Sequence, residues 1–190
     1  MNRNTITIIA AVTLAGCAVN KQTLNQYGDT QLDGNVLKSL TITHDEPANL
    51  GKLPFCVAST VTNESVMVSD SAGSFVGAYT GKYYQAHNSK ETGGGSVMQF
   101  VSQDGSEVVA RGTTRYWAAM IERAVRFTVS IKDDGVSRTY RFTGVEVAQI
   151  NSGSWPNSGF SRAAMNPGTG GGHALKNMRQ IADDIDTCLR

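Results

Sequence analysis

The chain has 190 residues, with 17 Lys and Arg against 16 Asp and Glu. One domain is the expectation at that length, and a net charge of +1 argues against a nucleic-acid binder that works by neutralising phosphates. Twenty glycines follow no Gly-X-Y period, which excludes collagen, and only 17% of the residues are charged, which leaves much of the surface to Ser, Thr, Asn and Gly.

Met1 to Cys17 reads MNRNTITIIAAVTLAGC. One basic residue, Arg3, precedes an apolar stretch from Ile6 to Ala15. That stretch has the length of a secretory hydrophobic region and is too short to span a bilayer as a helix. The competing reading is a core strand with an incidental Cys. Its end, Leu14-Ala15-Gly16-Cys17, resembles the lipobox of bacterial lipoproteins at all four positions. The resemblance implies a signal peptide over 1–16, a diacylglycerol on the Cys17 thiol and a further acyl chain on its freed amine. Several acyl chains anchor a protein firmly where one is marginal. In enterobacterial lipoproteins an Asp after the Cys marks inner-membrane retention. Ala18 stands there instead, so the expected location is the outer membrane, with the domain facing the periplasm.

Residues 18–35 are polar and read as a flexible tether, which leaves a single domain over 36–190. Leu37 to Thr43 carries a short alternation, Leu40 and Ile42, that suits an edge strand. Phe55 to Thr62 alternates Phe55, Val57, Ser59 and Val61, as a half-buried strand does. From Asn63 to Tyr84, Phe75, Tyr79 and Tyr83 recur every four residues and predict a helix, while Val66 and Val68 suit a strand. Gly73, Gly77 and Gly81 weaken the helix by about 1 kcal/mol each. Asn88 to Gly95 reads as a loop.

The next segments are clearer. Val97–Ser102 and Glu107–Thr114 flank Asp104-Gly105, a pair suited to a tight turn, so 97–114 is a hairpin. Val125, Phe127, Val129 and Ile131 alternate, Asp133-Asp134-Gly135 turns the chain, and Tyr140 and Phe142 alternate on the return, so 125–150 is a second hairpin. At Gly144 the apolar phase shifts to Val145 and Val147, as at a β-bulge. Asn151 to Gly172 is a loop rich in Gly, Ser, Asn and Pro, and loops that long are often functional. It carries Trp155 and Phe160, which either tuck into the core or anchor a partner. Residues 174–189 place Leu175, Met178, Ala182, Ile185 and Leu189 at helical spacing. The fold class is therefore α+β, a curved antiparallel sheet packed against the C-terminal helix.

Gln99 to Gly112, with Val125–Gly135 and Arg138–Thr143, is similar to an uncharacterised bacterial family of secreted domains and lipoproteins described as having a TATA-binding-protein-like fold. The resemblance implies the same α+β sheet and no activity. A fold shared with a DNA-binding protein would not transfer DNA binding.

Three cysteines occur, Cys17, Cys56 and Cys188. Lipidation of Cys17 leaves an even pair in an oxidising compartment, so a Cys56–Cys188 disulfide is expected. Neither has the Cys-x-x-Cys partner or neighbouring His of a reactive thiol. His44, His87 and His173 lack ligand spacing, so no metal or cofactor is expected. Gly168 to Gly172, ahead of the last helix, could cradle an anion, but the Gly-Lys-Ser/Thr of a phosphate loop is missing and the segment reads as a flexible linker. The arginines from Arg111 to Arg141 read as a solvated face with cross-strand pairs, and Asp183, Asp184 and Asp186 as exposed helix surface. No serine sits in a nucleophile elbow.

These readings converge on a non-enzymatic, outer-membrane-anchored lipoprotein. It would act as a periplasmic binding or assembly accessory, with an envelope protein as partner and Trp155 and Phe160 as the candidate partner surface. The alternatives are a small-ligand or glycan module stacking on Tyr83, Tyr84, Trp117 and Trp155, and an envelope hydrolase.

Overall fold

A computed structural model describes residues 24–45, 50–166 and 168–190. The lipobox, Cys17 and the first part of the tether lie outside the described residues. In chain order the strands are β1 (Asp29–Asp33), β2 (Val36–His44), β3 (Ser65–Asp70), β4 (Phe75–Val76), β5 (Tyr83–Tyr84), β6 (Asn88–Gly93), β7 (Met98–Val101), β8 (Glu107–Ala118), β9 (Ile121–Asp133), β10 (Arg138–Gln149) and β11 (Ser161–Arg162). The helices are α1 (Leu53–Thr60) and α2 (Gly171–Leu189).

Alternation along the long strands builds one antiparallel sheet in the order β1-β2-β10-β9-β8-β7, with β11 also on β10. One face buries Val125, Phe127, Val129 and Ile131 of β9 beside Tyr140 and Phe142 of β10. α2 covers this face with Ala174, Leu175, Met178, Ala182, Ile185 and Leu189. Each fully buried Leu, Ile or Met there contributes about 1.5–3 kcal/mol. The fold is thus α+β, with both predicted hairpins and the predicted helix in place.

The bulge is where the apolar phase put it. Gly144 has φ +59°, and the β10–β9 register breaks between Thr143 and Glu146. Phe142 and Val145 consequently both join the core, three positions apart on one strand. β2 pairs with β10 up to Thr143, and β11 takes over at Glu146 and Val147. The turn from β7 to β8 closes on Asp104. Its carboxylate accepts hydrogen bonds from Ser102 Oγ and from Ser106, which hold its pKa down to about 2.

Several local expectations are overturned. Phe55 to Thr62 is not a strand, because α1 runs through Leu53–Thr60. Leu53, Cys56, Val57 and Val61 also fit a helical period, and all four are buried while Phe55 points to solvent. Pro54 sits in the first turn, where its missing N–H costs nothing. Asn63 to Tyr84 is not a helix. It forms β3, β4 and β5, with Gly73 and Gly81 at positive φ between them. Asn88 to Gly95 is not simply a loop, since β6 pairs along the whole of β3. β2 is no edge strand, because β1 lies outside it, formed from residues read as tether. β8 and β9 join through Ala119 and Met120, both at positive φ (48° and 64°). That two-residue turn needs left-handed residues, and glycine is absent from it.

The second face of the sheet carries a ribbon. Val66 and Val68 of β3 pack on Ala124 and Ala148. Two alanines side by side on β9 and β10 leave room for a strand to lie close.

Candidate functional site

The β3–β6 ladder runs from Ser65–Gly93 to Asp70–Asn88 and continues outward into the short β4–β5 pair. No residue from 71 to 87 is buried. This arm exposes Phe75, Val76, Tyr79, Tyr83 and Tyr84. Phe75 and Tyr84 stack with ring centroids 5.0 Å apart, which stiffens the tip.

The start of the long loop clamps the base of the arm. Ser71 N–H donates to Gly153 O at 2.7 Å, and Ser152 N–H donates to Ser69 O at 3.1 Å. Asn157 Nδ2 donates to Ser69 O and to Gln149 O, at 3.1 and 2.9 Å. Asp70 is the hub. Its carboxylate accepts from Asn88 Nδ2 (2.7 Å), Ala72 N (2.9 Å) and Asn157 N (2.8 Å). Those donors, Asn88 foremost, hold its pKa below the ordinary 3.8. A lowered carboxylate pKa adds stability that is fully present above the unfolded value and is lost as pH falls through the folded one. The share of the clamp that Asp70 supplies is therefore in place at neutral pH and is lost only below the ordinary carboxylate range. Replacing Asp70 by Ala should speed amide exchange at Ala72 and Asn157 several-fold at pH 7, while core amides of β9 stay protected. Unchanged exchange at both amides would show that the clamp does not depend on this carboxylate.

The two aromatics of the loop part company. Trp155 is 78% exposed, on the clamped stretch beside the arm. Phe160 is half-buried against the Val66–Val68 cluster, with the Arg126 guanidinium 4.5 Å from its ring centre. Trp117 and Met120 are also exposed. They lie at the same end of the sheet, because Trp117 pairs with Glu122, whose carbonyl accepts Ile150 N–H at 3.0 Å just before the loop.

Cys56 and Cys188 form the expected disulfide, with Cα atoms 5.7 Å apart, and it ties α1 to the last turn of α2. Asp186 departs from its reading as exposed surface. It is buried, and Arg138 Nη1 donates to it. Arg138 Nε donates to Asp133 Oδ2 at 2.7 Å. His44 reaches Asp186 Oδ2 through Nδ1 at 3.4 Å and Asp183 Oδ1 through Nε2 at 3.3 Å. Burial pushes the neighbouring Tyr140 phenol up to about 12. The side chains of Arg138, Asp133 and Asp186 are at most 3% exposed, so this cluster fastens sheet to helix from the inside.

The segment read as a flexible linker is tied down. Gly170 has φ +76°, and a Cβ there would strike Tyr116 and Ala118. Thr169 Oγ1 donates to Ala164 O at 2.7 Å, and Arg123 Nη1 donates to Thr169 O at 2.7 Å. Of the sheet cations, Arg115 with Glu122, Arg126 with Glu146 and Lys132 with Glu107 make the expected cross-strand pairs, Arg111 and Arg141 are exposed without one, and Arg138 is buried rather than on the solvated face. Among the described residues no group of three His, Cys, Asp or Glu side chains is placed to hold a metal. No described helix is long and apolar enough to cross a membrane. The chain matches no protein-family model and no curated protein.

Proposed function

We propose that the protein is a lipid-anchored module of the outer membrane, attached through Cys17, that acts by binding an envelope protein on the aromatic arm and Trp155. The observation that carries this reading is the arm itself. Five large apolar side chains stand exposed on a ribbon whose base is clamped by a network of hydrogen bonds around Asp70 and Asn157. Exposed apolar groups gathered in one place favour an interaction surface. Clamping lowers the ordering cost of binding, and Tyr and Trp are favoured anchors. The glycan alternative asks for a concave aromatic cleft, whereas these rings project from a ribbon.

Two measurements test the two halves. A fatty-acid probe should label the wild-type chain in cells and leave Cys17→Ser unlabelled, and equal labelling would end the anchor reading. A photo-crosslinking residue at Tyr83 or Trp155 should give one discrete protein adduct in intact envelopes, and the same probe at Lys38 should give none. Trp155→Ala should abolish the adduct formed through Tyr83 while leaving the melting temperature within about 1 °C, since an exposed side chain contributes little to stability. Indistinguishable adducts from Lys38 and Tyr83 would sink the partner surface.

A further inference from the structure

Arg123 is a half-buried sheet cation that pairs with no carboxylate among the described residues, whereas Arg111, Arg141 and Lys38, which also lack one, are exposed. One of its terminal nitrogens serves Thr169 O, and its Nε is buried without a hydrogen-bond partner. The buried hydroxyl of Tyr116, its cross-strand neighbour, lies beside this guanidinium, whose charge offsets part of the rise that burial imposes on the phenol pKa.

Arg123 lines a cavity of about 260 Å³ beside the loop that clamps the arm. Its other walls include Arg162 from β11, Ser158, Ser161, Thr169 ahead of α2 and, from the clamp, Ser152 and Asn157. No acidic side chain lines it. Arg162 meets Asp33 at 3.2 Å, but both are largely exposed, and a pair of that kind holds a guanidinium only weakly. α2 has no side-chain cap and no acidic residue in its first turn, so nothing local offsets its positive end near Thr169.

We propose that this cavity binds a phosphate monoester. Two guanidinium groups from different strands, lining one cavity with no carboxylate in its walls, suit an oxyanion that accepts from several directions, and Arg is the favoured cation for such forked recognition. The size sets the rest. The cavity equals the liquid volume of roughly nine waters and falls below the roughly 300–1,000 Å³ of sites for drug-sized ligands. It therefore takes the phosphate with a short substituent. That group could arrive on a small soluble molecule or as the headgroup of a lipid. The cavity shares Ser152 and Asn157 with the clamp at the base of the arm, but Arg123 and Arg162 belong to neither clamp nor arm, so variants at these two test the cavity apart from the partner surface.

Calorimetric titration with glycerol 3-phosphate reads the soluble source. Flotation with phosphatidylcholine vesicles, with and without phosphatidic acid, reads the lipid source, and comparing wild type with Arg123→Gln there cancels any contribution of an acyl anchor. Saturable binding is expected in at least one arm. Losing a charge-assisted hydrogen bond should weaken it about 10–100-fold in Arg123→Gln. Arg162→Gln, an exposed change, should weaken it by about tenfold with the melting temperature unchanged, so the result does not hinge on how well Arg123→Gln folds. Binding confined to phosphatidic acid vesicles and lost in both variants assigns the lipid source. The proposal is overturned if neither probe binds, if both variants bind as wild type does, or if glycerol gives the same heat as glycerol 3-phosphate.

Discussion

Replacing both Cys56 and Cys188 by Ala should cost about 2–5 kcal/mol of stability. The bridge spans 132 positions, and cross-linking so long a loop removes much of the unfolded chain's freedom. The native side of the balance points the same way. α1 has only eight residues and buries Leu53, Cys56 and Val57, so the bridge is a large share of what holds so short a helix on α2. For a chain of this size the loss corresponds to a melting temperature lower by about 5–15 °C. Circular dichroism melts of wild type and double variant, with and without reductant, check it. Reductant should lower the wild type to the level of the variant and leave the variant where it is. Identical melting of oxidised wild type and double variant would mean that the bridge carries no stability.

Arg138→Met should destabilise by about 3–5 kcal/mol, because it leaves Asp133 and Asp186 buried without the cation between them. Asp186→Asn should cost less, since the Arg138–Asp133 pair survives it and the amide can still accept one hydrogen bond. Converting Arg138, Asp133 and Asp186 together to Met, Leu and Leu should recover much of the loss, as apolar replacements of whole buried ion clusters commonly do. Urea unfolding of the three variants gives the ranking. If Arg138→Met matches wild type, the cluster is not what fastens α2 to the sheet.

The legible parts of this molecule are those whose pattern has one physical solution. The strict alternation in Val125–Ile131 and Tyr140–Phe142 cannot be satisfied on a helix, and the 3/4 spacing of residues 174–189 cannot be satisfied on a strand. The phase shift at Gly144 required one extra residue in the ladder, and the bulge lies there. Cysteine parity gave the bridge. Of the candidate site, Trp155 and its loop were legible because large aromatics in a Gly- and Ser-rich stretch stand out against their neighbours.

Other features have two local solutions, and only packing selects between them. Leu53, Cys56, Val57 and Val61 suit a helix as well as Phe55, Val57, Ser59 and Val61 suit a strand. Cover by α2 and the bond to Cys188 decide for the helix. The four-residue spacing of Phe75, Tyr79 and Tyr83 has no apolar neighbour to meet, so the chain folds back on itself as a ribbon instead. β6 is polar throughout, and its strand state comes entirely from its partner β3. Charge has the same ambiguity. A sequence shows where Arg123, Arg138 and Asp186 stand, but their desolvation and their partners depend on residues far along the chain. The approach of α2 to the sheet seals Arg138 between two carboxylates, and the fold of the loop leaves Arg123 facing a cavity without one.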